Sequence, residues 1–256
     1  MIRFAEGVRL QRAVRTFGTD PFGVRALAGV LAYGTEQPFA GVWVRDNMRT
    51  LLGRTEGALT ACGAAMHAEE LQAFLDLTGG STLLVPSDFL KDRMPKWTLR
   101  RSGAVFTLQT LVSSYGGAAE SGSAKVVTAM LADNPSPWIE LGDKAAFYTD
   151  LSHRLRHGCV RTAVRCADGR PVACALTVAE TDRAAVVGGV VCERAYRDRG
   201  HAGAALQALC AALQTEHKAV FLFTGAEMVG FYQKYGFNKT GEWQEYSRAE
   251  EADAHA

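Results

Sequence analysis

The stretch Ala184-Ala-Val-Val-Gly-Gly-Val-Val-Cys-Glu-Arg-Ala-Tyr-Arg-Asp-Arg-Gly-His-Ala-Gly-Ala204 decides the fold. Its opening, through Cys192, is short, apolar and β-branched, which predicts a strand. Leu206, Leu209, Cys210 and Leu213 then recur at the spacing of one helical face. Between strand and helix lies an Arg-x-x-Gly-x-Ala turn, in which Gly200 and Gly203 permit a sharp reversal and close backbone approach. Amides that open a helix have no partner within it, so an anion can satisfy them. Dipole attraction contributes only about 0.3–1 kcal/mol, whereas each hydrogen bond to a charged group is worth roughly 1.5–3 kcal/mol. A cradle of several amides therefore dominates, and a pyrophosphate suits it.

Arg197, Gly200 and Ala202 match Gln/Arg-x-x-Gly-x-Gly/Ala, and this turn resembles the coenzyme A site of the GNAT acyltransferase superfamily. A second element downstream, Phe231-Tyr-Gln-Lys-Tyr-Gly-Phe237, resembles the family's closing helix and following strand. The resemblance covers the last hundred residues or so. It implies an α/β (α+β) fold of mixed, mostly antiparallel sheet flanked by helices, and acetyl-CoA as acyl donor.

Composition bounds the alternatives. With 256 residues and 48% hydrophobic content, the chain has material for two domains of ordinary size. Its net charge of +1 gives no broad field to attract nucleic acid or an anionic membrane. The N-terminal residues mix charges with apolar side chains, unlike a signal peptide, and no stretch is apolar enough to span a bilayer, so cytoplasmic residence is expected. The six cysteines lack a Cys-x-x-Cys pair and read as reduced thiols. His153 and His157 stand four apart on a predicted helix without an evident third ligand, and no metal is expected.

Ser113 to Ser123 is small, polar and glycine-rich, and places a boundary between residues 1–120 and 121–250, with 251–256 as a polar tail. Beyond it the pattern predicts a strand near Lys125 to Leu131 and a helix between Asp143 and Gly158 with Phe147, Leu151 and Leu155 buried. A hairpin turning at Asp168-Gly169, the phosphate-loop strand and helix, a strand from Lys218 to Thr224, a short helix from Glu227 to Tyr235 and a strand near Lys239 to Ser247 follow.

The first half looks like a diverged copy of the second. A shift of 138 residues (Ala73 onto Ala211) aligns Leu71, Leu75, Leu84, Lys96 and Gly103 with Leu209, Leu213, Leu222, Lys234 and Gly241 without a gap. Helices near Val24 to Tyr33 and His67 to Leu77 are predicted, with strands at Phe39 to Val44, Ser81 to Val85 and Gly103 to Val112. Ala58 to Gly63 runs almost directly into a helix with no phosphate-loop motif, and Met94 stands where Tyr232 would be. One active site is therefore expected, in the second half, with the first as a wall or lid of the acceptor pocket. A tandem arrangement can replace the dimer contact of single-domain members, leaving monomer or homodimer.

The resemblance assigns roles. The amides of Val190, Val191 and Cys192 would receive the pantetheine and the thioester carbonyl, and Gly188-Gly189 suits a bulge that splays this strand. The loop Arg197, Asp198, Arg199, Gly200, His201, Ala202, Gly203 and Ala204 would hold the diphosphate. Tyr232 is the candidate acid for the departing thiolate, or else a core aromatic. A phenol near pKa 10 and a thiol near 8.5 make full transfer uphill by roughly 2 kcal/mol. Glu193 is the nearest carboxylate to act as base, or a solvated loop charge. Cys192 with His201 reads as a covalent pair or, with no third orienting group in view, as a small buried residue beside a loop histidine. The expected activity is transfer of an acetyl group to an amine, in a small molecule or peptide. The alternative is a non-catalytic coenzyme A-binding module.

Overall fold

The computed structural model describes residues 1–46, 48–111, 119–135 and 141–248. The chain forms two compact units, residues 1–103 together with the stretch from Gly241, and Ala104–Thr240. It leaves the first unit partway through strand β6 (Trp97–Leu108) and returns partway through β11 (Phe237–Arg248). The expected boundary at 120/121 lies within the second of these units, and the tail 251–256 falls outside the described residues.

The first unit opens with β1 (Ile2–Phe4), α1 (Gly7–Phe17) and α2 (Pro21–Tyr33), followed by β2 (Ala40–Arg45), β3 (Thr50–Thr55) and β4 (Ala58–Gly63). After these come α3 (Ala68–Thr78), β5 (Thr82–Pro86) and the start of β6. Strand order is β1-β2-β3-β4-β5-β11, antiparallel except for β4 and β5, which α3 connects in parallel. Asp20 accepts from the Gly23 amide and Pro21 fills the first helical position, so α2 begins three residues before the predicted Val24. The amphipathic α1 is absent from the sequence reading.

The second unit continues β6 into α4 (Ala124–Asp133), α5 (Lys144–Arg156), β7 (Thr162–Ala167), β8 (Arg170–Glu180) and β9 (Ala184–Cys192). It ends with α6 (His201–Thr215), β10 (Ala219–Thr224), α7 (Val229–Gln233) and the start of β11. Its order is β11-β6-β10-β9-β8-β7, and β9 and β10 run parallel around the α6 crossover. One sheet face buries Leu206, Leu209 and Leu213 of α6 with Phe106, Val187, Leu222 and Phe237. The other buries Val127 and Leu131 of α4 and Leu151 of α5 with Val164, Leu176 and Val191. Phe147 and Leu155 are only partly buried against this cluster.

Residues 125–131 are helical, which overturns the predicted strand. Ser123 caps the Val126 amide, and buried Ala124, Val127, Thr128 and Leu131 fall on one helical face. The β-branched run there misleads because its period, not its propensity, sets the structure.

The two units repeat one plan: helices, three antiparallel strands, a crossover helix and a parallel strand. Leu84 and Leu222, 138 residues apart, sit in the matching parallel strands, paired with Thr60 and Val187.

An ion cluster braces the second unit where β7 starts, β8 ends and α6 stops. Arg161 grips Glu216 through both terminal nitrogens at 2.6 and 3.0 Å and reaches Glu180, to which Lys218 donates at 2.6 Å. The Arg161 hydrogen bonds hold the Glu216 carboxyl down at about 2. Its unfolded value is about 4.3. Its folded pKa is the lower one, so its stabilisation is complete above the unfolded value and is lost as pH falls toward 2. Melting temperatures recorded between pH 5 and pH 2 are expected to fall less steeply for Glu216→Gln than for the wild type. Parallel slopes would remove Glu216 from the acid response.

Candidate active site

The site begins with a break in pairing. β10 pairs with β9 only from Ala184 to Val187, so Gly188 to Cys192 part from it. On the other side, Cys174 and Leu176 of β8 face Val191 and Gly188, two steps against three, which is a β-bulge on β9. Two glycines are required here. Gly189 has φ +55°, and a Cβ on it would lie 1.9 Å from Leu176 Cδ2, while one on Gly188 would lie 2.8 Å from Val178 Cγ1. The bulge thus follows from residues without side chains, as their sequence suggested.

The bulge sends alternate side chains to opposite faces. Val191 packs with the α4 side, while Val190 packs against the α6 cluster, as do Phe231 and Tyr232. Tyr232 therefore shares a packed cluster with the opened segment of β9. Its ring meets Phe231 at 5.1 Å and Phe237 at 6.1 Å, and burial pushes its phenol up to about 12. Tyr235 is buried, and Gly236 ends the segment in the left-handed region at φ +83°.

After β9 the chain makes a single 3₁₀ turn, Arg194–Tyr196, and Arg197 folds back so that its Nε donates to the Cys192 carbonyl at 3.2 Å. The motif arginine thus ties the loop to the end of the strand. Asp198 and Gly200 take left-handed conformations at φ +61° and +80°. Gly200 is the N-cap of α6 and offers no side chain to the first-turn amides. The Ala204 amide bonds back to the Gly200 carbonyl at 2.9 Å. Gly203 lies under Tyr235, whose hydroxyl oxygen would be 2.0 Å from an added Cβ. A helix start without a capping side chain, reached through left-handed residues, suits a diphosphate.

The remaining candidates divide. Burial raises the Cys192 thiol, beside the Ala202 amide and with Arg197 nearby, and His201 turns its ring toward Tyr196 at 5.9 Å. Burial thus favours the thiol, the form that is not nucleophilic, over the thiolate. The Glu193 carboxylate lies 3.9 Å from Arg170, a surface charge contact longer than a hydrogen bond. The rings of His153 and His157 meet at 4.3 Å, tilted by 39°, and among the described residues no group of three or more His, Cys, Asp or Glu is arranged for a metal. The sequence reading missed Arg170, which donates to the Tyr196 hydroxyl at 2.9 and 3.2 Å. A partner 26 residues away in a hairpin leaves no local signal.

The corresponding place in the first unit is filled. Only Ala64 to His67 separate β4 from α3, and Met66 exchanges backbone hydrogen bonds with the Phe89–Lys91 segment at 3.0 and 3.1 Å. Phe89, Met94 and Trp97 are buried beside it. No phosphate-loop motif stands there, although β4 also parts from β5 after Thr60.

Residues 125–237 match the model of the acetyltransferase (GNAT) family, so the second half carries a GNAT domain. Among solved structures, the chain is similar to a GCN5-related N-acetyltransferase from Kribbella flavida (TM-score 0.60, 12% identity, 95% of this chain and 96% of that one). It is also similar to a GNAT-family acetyltransferase from Colwellia psychrerythraea (TM-score 0.57, 12% identity, 97% and 99%). A third is a tandem GNAT protein from the clavulanic acid biosynthesis pathway (TM-score 0.50, 13% identity, 96% and 98%). At these identities the likeness is one of fold, and the fold is a tandem GNAT. No curated protein matches the sequence.

Proposed function

We propose that this protein transfers an acetyl group from acetyl-CoA directly to an amine, using the second unit alone. The observation that carries this reading is the parting of β9 from β10 after Val187, next to the uncapped start of α6. The diphosphate would rest on the loop from Arg197 to Ala204, and the thioester carbonyl on backbone amides of the segment Val190 to Cys192. The amine nitrogen attacks that carbonyl, the carbon–sulfur bond breaks, and the surplus amine proton leaves to a base or water. Tyr232 donates a hydrogen bond to the departing sulfur. We place the protein in the cytoplasm, as monomer or homodimer, with a small-molecule or peptide amine as its partner. The near-neutral charge supports the absence of nucleic acid from that list.

A second reading, a coenzyme A-binding module without turnover, is favoured by the engagement of Glu193 with Arg170. Thiol release from acetyl-CoA across a panel of amines separates the two. Turnover with at least one amine, reduced in Arg197→Ala, supports the transferase. Coenzyme binding without release on any amine supports the module.

A further inference from the structure

Beside the phosphate loop, Tyr196 holds two guanidinium groups. Arg170 donates to its hydroxyl from Nε and Nη2 and lies 5.1 Å from the ring centre, while Arg199 lies 5.6 Å from the same centre. The His201 ring meets Tyr196 edge-on, so the cluster adjoins the first residue of α6. Two like charges on one ring repel, and their neutralisation is incomplete. Arg170 has Glu193 at 3.9 Å, and Arg199 makes no salt bridge among the described residues. Cation–π contact and the phenol hydroxyl hold the pair in place at some expense in repulsion, which an arriving anion would relieve.

Resting on the coenzyme reading above, the geometry points to a second anion subsite, formed by Arg170 and Arg199 on Tyr196, that takes the ribose 3′-phosphate of the coenzyme and selects it over the dephospho form. The assignment follows by elimination. The loop amides meet the diphosphate, and the coenzyme carries one other anionic group, a phosphomonoester close to doubly charged at neutral pH. Guanidinium forks suit such a group through paired charge-assisted hydrogen bonds. Tyr196 acts as a positioning residue that seats both arginines.

Calorimetric titration of coenzyme A and of dephospho-coenzyme A at matched ionic strength tests the subsite. The wild type is expected to bind the phosphorylated form about ten-fold tighter or more. In the double variant Arg170→Ala/Arg199→Ala that ratio falls toward one, because the phosphorylated form loses more affinity than the dephospho form. Tyr196→Leu keeps both charges and is expected to lower the ratio as well, with Tyr196→Phe between it and the wild type. Equal affinities in the wild type, or equal weakening of both ligands by the double variant, would overturn the subsite. The wild-type comparison decides even where a variant fails to fold. Failure of both ligands to bind the wild type would instead overturn the coenzyme reading itself, and the subsite with it.

Discussion

Gly203→Ala is expected to lower the melting temperature by roughly 5–10 °C and to weaken coenzyme binding at the same time. The added methyl would lie 2.0 to 2.3 Å from the hydroxyl and two ring carbons of Tyr235, a buried side chain with packed neighbours on the α6 face. Either the ring leaves its site or the first turn of α6 moves. Overpacking of this kind costs about 1–3 kcal/mol. A moved first turn also displaces the amides proposed to hold the diphosphate. Thermal melts and calorimetry on Gly203→Ala, Tyr235→Ala and the double variant check this as a cycle. If the collision is the cause, the double variant loses less than the sum of the singles. Strict additivity would mean that the ring and the glycine act separately.

Tyr232→Phe is expected to lower kcat by roughly 10- to 100-fold with the KM for acetyl-CoA nearly unchanged, since the phenol would serve only the departing sulfur. Burial alters how it serves. With the phenol pushed up to about 12, transfer of its proton to a thiolate near 8.5 is uphill by about 5 kcal/mol, more than the free side chain implies. Tyr232 would therefore steady the leaving group as a hydrogen-bond donor while keeping its proton. The pH profile carries the same sign: a group protonated below about 12 imposes no fall in kcat between pH 7 and 10. A falling limb in that range that disappears in Tyr232→Phe would refute this assignment.

Local patterns carried much of this architecture, and long-range pairings did not. The β7–β8 hairpin was legible from alternation and Asp168-Gly169, and α5 from its Asp143 cap, which accepts from the Ala145 and Ala146 amides. Residues 125–131 were misread because Val126, Val127 and Thr128 favour strands singly, while Ser123 and the helical stripe favour a helix together. The duplication was visible in aligned leucines. The pairing of β6 with β10, Thr107 against Phe221, joins residues more than a hundred positions apart and leaves no mark in either segment. At the site, Arg197, Gly200 and the double glycine could be read because each acts within its own turn or strand. The Arg170–Tyr196 contact could not, because it depends on how a hairpin end settles against a loop.

The return of the chain into its first unit has a consequence for biogenesis. β11 lies against β5 through the pairs from Trp243–Pro86 to Ser247–Thr82, and Arg101 is bonded to Glu245 at 2.7 Å. On the ribosome, residues 1–103 must therefore wait, with one sheet margin bare, until Trp243 to Ser247 have been made. Vacant backbone along β5 invites strands from other nascent chains, so chaperone protection would matter until that segment emerges.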